Sequence, residues 1–157
     1  MRLLLLLVLL LLLTAGCAQK GERIVSPTLE PVPIPGKVRC PECGMFVSDY
    51  ENWACQAILS SREVVFFDEP GDMFLYRQKH SGSILRIYCR DYYTQKWVSA
   101  SEAYFVVNSV ISTPMGFGIA VFSSREDAEN FRREYSMGPA TEVLTFEEVL
   151  RRGVKPP

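Results

Sequence analysis

Cys40 and Cys43 stand in the stretch RCPECGMFV, at a spacing that serves three chemistries. Two thiols so placed can form a redox-active disulfide, supply half of a zinc site, or clip a soft metal ion. Met45 follows two positions after Cys43, and Met115 lies in STPMGFG, a Pro-Met-Gly turn. A long apolar side chain in such a turn is oddly placed for core packing. Thiolate and thioether are soft donors that select Cu(I) over hard ions, and a monovalent d10 ion tolerates as few as two or three sulfur ligands. Cys43, Met45 and Met115 therefore make a candidate low-coordinate cuprous site, with Cys40 as neighbour or ligand. Taken singly, each methionine is an ordinary hydrophobe; the combination is what points to metal.

The competing chemistries draw on the same inventory. The chain has one histidine, His80, at a polar helix end beside Ser81 and Gly82, where a solvent-facing role is the ordinary one. Any Ser–His–Asp or Cys–His pair would have to use it. A structural zinc site needs two further nitrogen or sulfur ligands. Cys55 and Cys89 offer sulfur, but both sit in apolar, strand-like sequence and read as small buried hydrophobes. A thiol–disulfide oxidoreductase is the main alternative, because CxxC suits an exported protein. Active pairs usually open a helix that lowers one thiol's pKa; here Gly44 follows at once and MFVSDYENW shows no helical pattern. A purely structural staple at the leading edge of the domain is the remaining option.

Export is itself a reading of the first residues. Met1-Arg2 precedes an apolar run from Leu3 to Leu13, and then Thr-Ala-Gly leads to Cys17. A charge, a short apolar run and small residues before a cysteine describe a secretory signal, and the run is too short to span a bilayer comfortably. TAGC resembles a bacterial lipobox, which makes Cys17 the lipidated mature N-terminus and 1–17 the signal peptide together with that lipidation cysteine. A diacyl anchor supplies the two chains that stable attachment requires. Residues 18–37 carry Pro27, Pro31, Pro33 and Pro35 and read as an extended tether, with the folded domain at 38–157. With 17 basic and 18 acidic side chains and no basic block, the chain gives no electrostatic reason to expect nucleic-acid binding.

The elements that must position these residues follow from short apolar runs. WACQAIL and EVVFF read as strands around an SSR turn, and ILRIYCRD alternates as a third. Asp68 is placed to cap a helix through EPGDMFLYRQKH. The second half repeats the plan: KWVSASEAYFVVNS and GFGIAVF as strand material, a helix through REDAENFRREY, then TEVLTF and a closing turn ended by Gly153. The expected fold is α+β, two ββαβ-like units packed together; a single mixed sheet with two helices is the alternative. Tyr88, Tyr92, Tyr93 and Trp97 fit an inter-unit strand and turn better than a partner-docking surface.

CPECGMFV, FFDEPGDMF, RDYYTQKWVSASEAYFVV and TPMGFGIAVFSSREDAENF, in that order, resemble the NosL family of bacterial copper lipoproteins. The resemblance runs from about Val38 to Leu150. It implies two ββαβ units and a Cu(I)-binding chaperone with no bond-making catalysis. Its partners would be an exported copper enzyme, nitrous oxide reductase foremost, and a copper-supplying membrane protein. Cys43 and Met45 match the family's Cys-Gly-Met, Met115 its Pro-Met-Gly, and Cys40 its earlier cysteine. Asp68 and Met73 match an Asp…Met pair whose role reads as structural. It also implies an exported protein, lipid-anchored at the periplasmic or outer face of a bacterial membrane.

Overall fold

The computed structural model describes residues 23–135 and 140–157. The signal segment and Cys17 lie outside the described residues. Two separate antiparallel sheets form. The first contains β1 (Cys55–Leu59), β2 (Val64–Phe67), β3 (Ile84–Arg90) and β4 (Trp97–Ser99) in the order β2-β1-β3-β4. The second contains β5 (Tyr104–Val107), β6 (Ala120–Phe122) and β7 (Glu142–Thr145) in the order β6-β5-β7. Each sheet carries a helix between its second and third strands: α1 (Pro70–Lys79) in the first, α2 (Arg125–Tyr135) in the second. The two ββαβ units thus share one strand order, and the single-sheet alternative is excluded. β4 is an addition to the plan: KWVSASEAYFVVNS divides at Ala100–Ala103, where the chain turns from the first sheet into the second.

Local chemistry explains these boundaries. Leu59 and Glu63 close the β1–β2 turn, with Arg62 in the left-handed region at φ 69°. α2 starts where the Ser124 hydroxyl accepts the Asp127 amide at 3.1 Å, and it buries Ala128 and Phe131. α3 (Phe146–Arg152) opens on a capping box between Thr145 and Glu148. Its end is at Gly153, where φ is 74°. Phe74 of α1 lies edge-on to Phe105 at 5.2 Å and stacks on Phe146 at 5.4 Å, so one core is common to both units. A smaller cluster of Val106, Ala120, Phe122, Ala128 and Phe131 lies under α2.

The tyrosine-rich segment joins the units, as its alternation suggests. Tyr92 packs on Phe122 and Phe131, and its amide donates to Val121 at 2.8 Å. Buried Asp91 accepts the amides of Tyr93 and Thr94 on one oxygen and that of Ser123 on the other. Burial would raise its pKa, but these donors outweigh burial and hold the carboxyl below its ordinary value.

Two expectations are corrected. Cys55 and Cys89 are not free hydrophobes: they face one another across β1 and β3 and are joined as a disulfide. The pairing also withdraws them as zinc ligands. The stretch 24–35, read as part of a free tether, lies against the domain instead. Ile24, Leu29, Val32 and Ile34 pack on the core. The buried Gln56 side chain accepts from the Val32 amide and donates to the Val32 carbonyl, at 3.0 and 3.1 Å, much as a neighbouring strand would.

Candidate metal centre

The CxxC segment closes on itself. The Cys40 amide donates to the Met45 carbonyl and the Gly44 amide to the Cys40 carbonyl, both at 2.9 Å. Gly44 supplies the φ of 80° that this tight turn requires. Arg39 clamps the outside, donating to the Gly44 carbonyl at 2.7 Å and laying its guanidinium 3.8 Å over the Phe46 ring. The turn points both thiols inward. Cys40 is buried and Cys43 half-buried.

What they meet is the start of α1. Asp68 directly follows β2, Glu69 is the N-cap, and Asp72 lies in the first helical turn. Pro70 at the first helical position needs no amide partner. The Cys43 thiol donates to Asp68 Oδ1 at 3.1 Å and the Cys40 thiol to Asp72 Oδ2 at 3.5 Å. One donor atom from each of Cys40, Cys43, Asp68 and Asp72 falls within 4.8 Å of all the others. Asp68 does not cap the helix, contrary to its local reading. No side-chain cap bond is made there, and the carboxylate turns to Cys43 instead.

Electrostatically the site is anionic and dry. Asp68, Glu69 and Asp72 are all buried, and no lysine or arginine pairs with them among the described residues. Asp68 Oδ2 and Glu69 Oε2 have no hydrogen-bond partner among the described residues. Burial, then the neighbouring Asp68 charge, raises the Asp72 carboxyl to about 6. Burial likewise pushes the Cys43 thiol up to about 12 and the Cys40 thiol higher still. Two thiols raised in pKa by burial and two buried carboxyls form a cluster of donors that a cation would relieve.

The raised Asp72 pKa has a consequence for stability. The folded state binds this proton more tightly than the unfolded chain, so the contribution is complete below pH 4 and lost as pH rises through about 6. Asp72→Asn does not titrate. Its melting temperature relative to wild-type apoprotein should therefore climb between pH 4 and pH 7. A constant difference across that range in thermal melts would remove the argument.

Of the residues singled out in the sequence, the structure brings Cys40 and Cys43 together. Met45 sits in the same turn, its carbonyl held by the Cys40 amide. Met115 arrives from the β5–β6 connection, where its amide donates to Glu69 Oε1 at 2.7 Å, and its side chain is 37 % exposed. Met73 lies fully buried in the main core. His80 is exposed at the end of α1, stacked on Tyr76 at 4.0 Å. Sequence reasoning missed Asp72 and Glu69. The available signal was DEPGD, three acids at a helix start with Asp68 and Asp72 four positions apart.

Comparison with known proteins identifies the family. The NosL family profile matches residues 31–154. The copper-binding lipoprotein NosL of Stutzerimonas stutzeri is 29 % identical over 144 residues, spanning 85 % of this chain and 72 % of that protein. The crystal structure of the copper chaperone NosL from Shewanella denitrificans superposes with a TM-score of 0.72 at 22 % identity, covering 80 % of this chain and 99 % of the other. At that identity the structural likeness establishes the fold alone.

Proposed function

The chain belongs to the NosL family, and from that premise we propose that it is a Cu(I) chaperone, lipid-anchored to a bacterial membrane through Cys17. Its cargo would pass to an exported copper enzyme, nitrous oxide reductase by the family resemblance. The observation that supports this reading best is the convergence of the Cys40 and Cys43 thiols on Asp68 and Asp72 within 4.8 Å, at buried carboxylates with no cationic partner. Neither named relative is described as an enzyme.

The residues divide the work by depth. Cys40 and Asp72 are 1 % and 3 % exposed, Cys43 is half-buried and Met115 is 37 % exposed. Cys43, Met45 and Met115 are the soft donors for Cu(I), with Cys40 available beneath. Binding as thiolate releases a proton. Asp68 Oδ1, 3.1 Å from Cys43 Sγ, is placed to take it and pass it to solvent. Release is ligand exchange: an incoming sulfur or nitrogen donor replaces the exposed Met115 first, and the buried donors last.

The oxidoreductase reading loses ground on two counts. Both thiols are raised in pKa, opposite to an activated pair. A 3-10 stretch, Val47–Trp53, follows the turn in place of an α-helix. The test is anaerobic Cu(I) titration against a chromophoric chelator, with reduced and Cys40–Cys43-oxidised protein in parallel. Reduced protein should take up copper and pass it to copper-free nitrous oxide reductase, and oxidised protein should not load. Stoichiometric loading after full oxidation would refute the thiolate site.

A further inference from the structure

Glu69 is not among the proposed copper donors, and its position in the fold is unusual. We propose that Glu69 is a positioning residue that latches the Met115 loop onto the start of α1, and so sets the reach between thioether and thiols. This rests on the reading of Met115 as a copper donor.

An N-cap side chain normally turns back to satisfy the first helical amides. Glu69 occupies that place but makes no cap bond. It reaches instead into the second unit, where Oε1 accepts the Met115 amide at 2.7 Å across a sequence separation of 46. The residue is fully buried, and Oε2 has no partner among the described residues. Burying a carboxyl with one oxygen idle is costly, and a fold that needed only a helix start would use serine or threonine there.

A second contact reinforces the first. A Cβ added to Gly71 would lie 2.0 Å from Phe117 Cγ, so the ring rests directly on the bare backbone of the first helical turn. Met115 is thus anchored at its own amide and again two residues later. The loop around these anchors is braced by Thr113: its carbonyl accepts the Gly116 amide and its hydroxyl the Gly118 amide, each at 3.1 Å. An exposed thioether on an otherwise free loop would sample many positions. Held at both points, the loop keeps the Met115 backbone at the start of α1, which restricts where its thioether can reach.

The test uses the full-length reduced protein, Cu(I) and a chelator competition. Groups that only orient metal donors typically contribute about 10–100-fold in affinity. Glu69→Ala should therefore weaken Cu(I) binding by about 10-fold or more, speed hydrogen exchange at the Met115 amide, and remove one sulfur neighbour from the copper X-ray absorption spectrum. Glu69→Gln keeps an oxygen acceptor and should restore all three. In a Met115→Leu background, Glu69→Ala should add nothing. Should Glu69→Ala fail to fold, Gly71→Ala carries the same test by displacing Phe117.

The outcomes separate the two ideas. If Met115→Leu weakens binding while Glu69→Ala and Gly71→Ala leave affinity and exchange unchanged, the latch is wrong and the donor assignment survives. If Met115→Leu binds copper like wild type, the donor assignment falls and the latch proposal with it. Equal losses from Glu69→Ala in both backgrounds also overturn the proposal, since Glu69 would then act on something other than Met115.

Discussion

Cys43→Ser should lower Cu(I) affinity by well over the roughly 100-fold that marks the upper end for groups outside the donor set, and leave the fold intact. Serine replaces the soft donor with a hard hydroxyl, which a cuprous ion binds poorly. The half-buried position means that no large cavity opens, and the turn is held by backbone bonds that do not involve the sulfur. Cys40→Ser is the internal comparison. Cys40 is buried against Asp72, so its loss should cost stability as well as affinity. Chelator competition with circular dichroism on the same samples reads both quantities. If Cys43→Ser competes for copper as wild type does, the CxxC turn is not the cargo site. An oxygen-donor role for the Asp68–Asp72 cluster would then be the next arrangement to examine.

The order strand–strand–helix–strand could be read twice from the sequence because it depends on local pattern. Val64–Phe67 and Tyr104–Val107 are runs of β-branched and aromatic residues, and Ala128 and Phe131 repeat at helical spacing. What was not legible depended on neighbours distant in the chain. An aspartate just before a helix has a sufficient local explanation as a cap. Only the docking of the CxxC turn on α1 shows that Asp68 serves Cys43. Val32 and Ile34 sit among prolines, which locally argue for free extended chain. Gln56, 24 residues after Val32, is what binds the segment down. Met115 stands out in the sequence because a large apolar residue in a Gly/Pro turn lacks a packing explanation. Glu69 had no such oddity, since an acid before Pro at a helix start is unremarkable.

Replacing the disulfide by Cys55→Ala/Cys89→Ala should destabilise the protein by about 4 kcal/mol on the loop-entropy relation for a bridge of this span, whose cysteines are 34 residues apart. The closed loop contains β1, β2, α1 and β3, so the cross-link restricts the whole first unit in the unfolded chain. Both cysteines are fully buried. Chemical denaturation at equilibrium measures the difference directly, and a loss below about 1 kcal/mol would contradict the entropic account. The bond also bears on how the proposed chaperone is kept active. An oxidising compartment forms Cys55–Cys89 readily, and the same conditions threaten Cys40 and Cys43, which on the proposed reading must stay reduced to supply a thiolate. The structure separates the pairs by access. Cys55 and Cys89 are sealed between strands, whereas Cys43 remains half-buried at the site mouth. A mild thiol reductant should therefore reopen an oxidised CxxC and leave the structural bond intact. Thiol counting before and after such treatment should find two free thiols among these four cysteines, with the melting temperature unchanged. Four free thiols under mild reduction would show that burial does not protect the bridge, and copper loading could not then be separated from loss of the fold.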